Sequence, residues 1–159
     1  MTPTVSLRSA TAEDREFFAT VYASTRIEEL ALTDWDEAQK ADFCQMQFTA
    51  QDSHYRQHYP TAEYAVIQHA DVAVGRLYLD RWPQEIRIMD IAILPAHRGR
   101  GIASHLLETL QHEAAASDRS LSIHVERFNP ALRLYQRLGF QLCEDKGVYL
   151  LLGWTAAIK

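Results

Sequence analysis

The chain reads as an α/β fold: a mixed central sheet of about seven strands flanked by about four helices, in the order β-α-α-β-β-β-α-β-α-β-β. Three observations predict it. The apolar spacing switches repeatedly between the two-residue period of strands and the longer period of helices. A glycine turn, Arg98-Gly-Arg-Gly-Ile-Ala103, sits between an apolar run (Ile86 to Leu94) and an amphipathic one (Ile102 to Ala116). The length, 159 residues, suits one domain spanning 1–159, and no repeat, low-complexity tract or Pro/Gly/Ser linker marks a second.

Val5 to Arg8 alternates as a short first strand. Thr11 before Ala-Glu-Asp is an N-cap with acids in the first turn. Phe17, Phe18, Val21 and Tyr22 give the helix that follows one apolar stripe. A second helix begins near Asp34 to Asp36, carries Phe43, Met46, Gln47 and Phe48, and stops before Pro60, which cannot continue it. Tyr64 to Ile67 and Val72 to Leu79 are strands around a turn at Ala70-Asp71. Arg81-Trp82-Pro83 breaks the chain before Glu85 to Leu94, the third strand of an antiparallel series. Ile102, Ala103, Leu106, Leu107, Leu110 and Ala114 then recur at helical spacing. Leu121 to Val125 alternates again. Asn129 or Pro130 opens a helix holding Leu134, Tyr135 and Leu138 and ended by Gly139. Gln141 to Cys143 and Val148 to Leu152 close the chain as a hairpin around Lys146-Gly147.

Composition narrows the class. Hydrophobic residues are 47% and charged residues 23%, an ordinary globular balance. The net charge of −5 argues against a nucleic-acid binder working through a basic face, and favours cationic partners. No run approaches the roughly 18 apolar residues of a membrane span, and Met1 to Ala10 lacks a signal-peptide core. Cys44 and Cys143 form no spaced framework or metal pair. The expectation is a soluble, reduced, cytoplasmic chain with no metal, nucleic acid or membrane partner; a homodimer stays open.

The glycine turn is where a phosphate-bearing ligand should sit. Helix starts leave N–H groups unpartnered and favour negative charge, and glycines let an anion approach the backbone. The spacing fits neither the P-loop nor the dinucleotide fingerprint. It fits Arg/Gln-x-x-Gly-x-Gly/Ala, as Arg98, Gly101 and Ala103. A second block, Val125-Glu-Arg-Phe-Asn-Pro-Ala-Leu-Arg-Leu-Tyr-Gln-Arg-Leu-Gly-Phe140, is similar to Asn-x-x-Ala-x-x-Leu-Tyr-x-x-x-Gly-Phe. With both blocks in order, the chain resembles the GNAT superfamily of acyl-CoA-dependent N-acetyltransferases over roughly residues 86 to 140; residues 1 to 85 carry no comparable motif.

The resemblance implies the mixed sheet already read from the periods, acetyl-CoA as co-substrate and an amine, on a small molecule or a protein, as acceptor. It implies that Arg98, Gly99, Arg100, Gly101, Ile102 and Ala103 cradle the pyrophosphate. Backbone groups of Ile91, Ala92 and Ile93 would take the thioester or pantetheine, with Asn129 and Tyr135 on the same cofactor. It gives Tyr135 the general-acid role toward the departing thiolate; a plain packing role is the rival reading.

The base is open between two residues. Ser122, His124 and Glu126 share one face of their strand, opposite Leu121, Ile123 and Val125, and a polar face in such a sheet suggests a cleft. His124 lies where some relatives carry a glutamate base, and imidazole titrates in a suitable range. Asp90 interrupts an apolar strand, which is costly unless it is paired. It could be a base, an orienter of His124, or the partner of Arg76 or Arg87. Relatives carry a glutamate earlier in that strand, where this chain has Arg87. His54 and His58 share a helix face but lack the glutamate of a zinc protease motif. The acids Glu28, Glu29, Asp34, Asp36 and Glu37 are a solvated loop or a recruiter of cationic amines. A non-catalytic acyl-CoA sensor of the same fold is the rival function, and an RNA-binding Arg-Gly turn is disfavoured by the net charge.

Overall fold

The computed structural model describes residues 4–156. Its elements are β1 (Val5–Ser9), α1 (Arg15–Ser24), α2 (Ile27–Leu30), α3 (Glu37–His58), β2 (Glu63–His69), β3 (Val72–Arg81), β4 (Glu85–Ile93), α4 (Ile102–Ala116), β5 (Ser120–Glu126), α5 (Leu132–Arg137), β6 (Gln141–Asp145) and β7 (Tyr149–Trp154). The strands form one sheet in the order β1-β2-β3-β4-β5-β7-β6. Only β4 and β5 run parallel, with α4 as their crossover; the other neighbours are antiparallel. This is the α/β mixed sheet expected, with α2 as one short helix more. Among the described residues no helix is long and apolar enough to cross a membrane.

Each face of the sheet buries its own cluster. Leu106, Leu107, Leu110 and Ala114 of α4 pack on Ile86, Ile88, Leu121 and Ile123, joined by Tyr135 and Phe140. On the other face Phe18 and Tyr22 of α1 and Phe48 of α3 meet Val66, Tyr78 and Met89. The α3 start is a capping box, Asp36 accepting from the Gln39 amide, and α3 ends at His58, before Pro60. Its inward residues are Cys44, Phe48 and Asp52, at a spacing of four, and Met46 turns outward and is 59% exposed.

The β2–β3 turn carries strain. Ala70 and Asp71 have φ of 52° and 66°, the left-handed pair that a tight hairpin requires and that Asn-Gly supplies best. A left-handed residue with a Cβ costs about 1–2 kcal/mol. Replacing Ala70-Asp71 by Asn-Gly is therefore expected to raise the melting temperature without altering ligand binding. Calorimetric unfolding showing no gain would mean that the turn relaxes at little cost.

The parallel pair defines the working end. β4 and β5 pair from Glu85↔Ser120 to Ile88↔Ile123 and no further. Beyond that point β4 keeps to β3, after a bulge that leaves Met89 without an opposite residue, while β5 keeps to β7. The two strands part, and a cleft opens between their C-terminal halves.

Candidate active site

At the far end of β4 the chain makes a single 3-10 turn, Pro95–His97, and Arg98 folds back to donate Nε–H to the Ile93 carbonyl at 2.9 Å. Gly99 and Gly101 both stand at φ +76°, and no heavy atom lies within 4 Å of where a Cβ would be. Glycine adopts that left-handed region freely. α4 then starts at Ile102 with no side-chain cap. Among the described residues, the backbone amides from Gly99 to Ser104 find no intramolecular acceptor. The loop is thus an open bank of N–H donors at the positive end of a four-turn helix.

Tyr135 comes to the cleft from α5. That helix starts at Leu132, later than the sequence suggested, because the Asn129 carboxamide oxygen accepts from the Ala131 amide at 2.8 Å and holds a turn instead. Asn129 therefore spends its oxygen on the chain itself. It also stands two residues before Ala131 where the motif has three, so exposed Phe128 takes the motif position. The other end of α5 is firmly closed. The Phe140 amide donates to Tyr135 O and the Gly139 amide to Gln136 O, each at 3.0 Å, while the rings of Tyr135 and Phe140 meet edge to face at 6.0 Å. Tyr135 is 3% exposed, and its hydroxyl has no hydrogen-bond partner among the described residues. Burial, then the nearby Asp90 charge, raises its pKa, so the phenol keeps its proton.

Asp90 lies next to the bulge and pairs with Arg76, Nε to Oδ2 at 2.5 Å. Arg76 is 1% exposed and also donates to Gln51 Oε1 of α3 at 2.9 Å and, more weakly, to Tyr78 Oη and Phe18 O. Its guanidinium lies over the rings of Tyr22 and Tyr78. Of the roles left open for Asp90, the structure shows the Arg76 pairing and not an orienter of His124, since the two residues make no bond. Tyr55 of α3 donates to the Met89 carbonyl at 3.3 Å, and its pKa is raised by burial and then by Asp90. Asp90 thus acts electrostatically on Tyr55 on one side and Tyr135 on the other.

His124 stands elsewhere. Ser122 and His124 do point away from Leu121, Ile123 and Val125, but Ser122 is buried, donating to Glu85 at 2.5 Å and accepting from Arg87 at 2.7 Å. Ser122 therefore spends its hydroxyl on Glu85 and Arg87, and the groove it borders is shared with Gln141, Cys143 and Trp154. His124 is half-buried, with Nε2 3.3 Å from Lys146 Nζ. Burial first, then Arg87 and Lys146, lowers its pKa below 6.5, leaving a neutral imidazole at neutral pH. Glu126 is exposed at the strand end.

Comparison with known proteins decides the family. Residues 25–140 match the acetyltransferase (GNAT) family profile. The chain belongs to the GNAT acetyltransferase family. Its fold is shared by the PaiA N-acetyltransferase of Thermoplasma acidophilum, solved with coenzyme A, at TM-score 0.72 and 14% identity over 96% of this chain and 99% of that one. An acetyltransferase of Thermus thermophilus gives TM-score 0.69 at 20% identity, over 95% and 96%. In sequence, 74 residues are 38% identical to streptothricin acetyltransferase of Streptomyces lavendulae. That alignment spans 43% of this chain and 38% of the relative's length.

Within this GNAT domain, Arg76 was visible to the sequence only as one partner of Asp90, and Tyr55 and Gln51 only as members of the tract Gln51 to Tyr59, rich in His, Tyr and Gln and placed on the acceptor side by location alone. Their signal was an arginine inside an apolar strand. The α3 helix that brings two of them to β4 lies outside both motifs. Among the described residues no group of three or more metal-ligating side chains converges, and the His54 and His58 rings simply stack at 4.3 Å.

Proposed function

We propose that the chain is an acetyl-CoA-dependent N-acetyltransferase working by direct transfer to an amine. The observation that carries this reading is Tyr135: a phenol kept protonated, locked by the α5 cap, without a protein partner and beside the parted strands. The amides of residues 99 to 103 bind the pyrophosphate, each bond to a charged acceptor contributing on the order of 1.5–3 kcal/mol. The unpaired edge of β4 at Ile91, Ala92 and Ile93 takes the pantetheine and thioester, with the Asn129 amide group beside it. The acceptor nitrogen, once neutral, attacks the thioester carbonyl; the C–N bond forms, the C–S bond breaks, Tyr135 gives its proton to the thiolate, and the proton the nitrogen sheds on becoming an amide returns through water to the Tyr135 phenolate. The ammonium proton leaves before attack, to His124, Asp90 or water. The Arg76 contact holds Asp90 in its place, which suits it to attract a cationic acceptor. His124, neutral at working pH, is the better acceptor of the proton.

Thiol release from acetyl-CoA across a panel of primary amines tests the reading; binding without turnover for every amine would favour the acyl-CoA sensor. Where turnover occurs, its pH profile assigns the base. If His124 takes the proton, kcat/KM should rise with pH through an apparent pKa below 6.5, because protonated imidazole cannot accept. His124→Gln is expected to remove that acidic limb, and Asp90→Asn to preserve it while raising KM for a cationic amine. A limb that survives His124→Gln but is lost with Asp90→Asn would give the role to Asp90.

A further inference from the structure

A second polar site lies at the opposite end of the sheet. There Ser9 pairs with Ala65 and Glu63 with Leu79, whereas the glycine loop leaves β4 at Ile93, opposite Gly75. A groove of about 580 Å³ runs between the end of β1, the starts of α1 and β2, and the last turns of α3. That volume falls in the range of small-molecule pockets. Its walls include Ala10, Ala12, Ala62, Phe18 and Tyr64, and its charged residues are Arg15, Asp52, Arg56 and Glu63.

Asp52 sits in α3, 4% exposed, and holds both arginines: Arg15 Nη1 at 2.7 Å and Arg56 Nε at 3.1 Å. One guanidinium would neutralise it. The second shares the groove with Glu63, whose partner Arg81 is divided between Glu63 and Glu113 at 2.6 Å each, so the site is distinguished by its free N–H donors and not by a surplus of charge. Both guanidinium groups are further steadied on aromatic faces, Arg56 over Tyr64 at 4.4 Å and Arg15 over Phe48 at 5.3 Å. Arg15 Nε and Nη2 and both Nη atoms of Arg56 have no protein acceptor among the described residues. Fixed N–H edges of two arginines suit the planar, two-oxygen shape of a carboxylate, and the alanine and phenylalanine walls suit a compact apolar body.

We infer that this groove binds a small organic carboxylate as an effector, remote from the acetyl-transfer cleft. The coupling element is α3. Asp52 and Arg56 face the groove, while Gln51 and Tyr55, one residue earlier in each case, bond Arg76 and the Met89 carbonyl beside Asp90. A ligand that draws Arg15 and Arg56 together biases the rotation of α3, and with it the placement of Arg76 and Asp90.

The binding claim is independent of the acetyltransferase reading, so it is tested without acetyl-CoA. The ¹H–¹⁵N spectrum of the full chain is titrated with sodium benzoate, with sodium phosphate and chloride as controls at constant ionic strength. Benzoate should give saturable shifts at Ala10 to Arg15, at Asp52 and Arg56 and at Ala62 to Tyr64, carried through α3 to Arg76 and Asp90. Arg56→Gln, which leaves Asp52 paired with Arg15, should weaken benzoate at least ten-fold, and Arg133→Gln on exposed α5 should not. Should Arg56→Gln lower the melting temperature, Arg56→Lys replaces it, keeping the charge but losing the fork, with the same weakening expected. No saturation at millimolar benzoate, equal response to chloride, tighter binding of phosphate, or unchanged affinity in Arg56→Gln and Arg56→Lys would each overturn the carboxylate site. Shifts confined to the groove, absent from Arg76 and Asp90, would overturn the effector coupling. Failure of acetyl transfer to every amine would leave these outcomes unaffected.

Discussion

Tyr135→Phe should lower kcat by about 10²- to 10⁴-fold while leaving acetyl-CoA affinity nearly unchanged. The substitution removes one oxygen that bonds to nothing in the protein, so the fold loses little. The edge-to-face contact with Phe140 and the two hydrogen bonds that close α5 remain. What disappears is a proton held by a raised pKa, next to the position where a thiolate would form. Single-turnover rates of CoA release are the right measurement, because they isolate chemistry from product departure. A variant with near wild-type single-turnover rate would reduce Tyr135 to a packing residue.

Gly101→Glu should weaken coenzyme A binding by about 30- to 1,000-fold, the equivalent of losing one or two charged hydrogen bonds of roughly 2 kcal/mol each. Two effects act together. The backbone at φ +76° resists any side chain. The new carboxylate can also occupy the very amides that phosphate needs while repelling the incoming anion. Gly101→Ala separates them, since a methyl group there meets no atom within 4 Å and adds backbone strain alone. Calorimetry is expected to rank the affinities wild type, Ala, then Glu. An unchanged coenzyme A affinity in folded Gly101→Glu would remove the loop from the cofactor site.

The glycine turn and the Tyr135 helix were legible because each is a local device. Left-handed glycines before a helix, and a Gly-Phe pair after one, are demands that the backbone makes within a few residues, so spacing alone exposes them. The same local chemistry misled at Asn129: a helix start and an Asx turn use the same residue types, and the choice between them depends on which amide the side chain meets. Asp90 posed a question that sequence can frame but not answer. A carboxylate in an apolar strand must find a partner, and Arg76 and Arg87 were equally eligible until the sheet register put Arg76 within reach.

By itself the sequence determined the α/β alternation, the antiparallel series, the glycine turn before α4, the tyrosine helix closed by Gly139-Phe140 and the resemblance to the GNAT family. These follow from periodicity, capping and backbone stereochemistry, which act over short stretches of chain. Only the tertiary structure decided which charges meet: Asp90 with Arg76 rather than His124, Ser122 closed off by Glu85 and Arg87, Tyr55 on the Met89 carbonyl, and Asp52 between two arginines. Each of these contacts joins residues far apart in the chain or on neighbouring strands. Their energy depends on distance and burial, and both are set by how the sheet bulges at Met89 and where α3 comes to rest upon it.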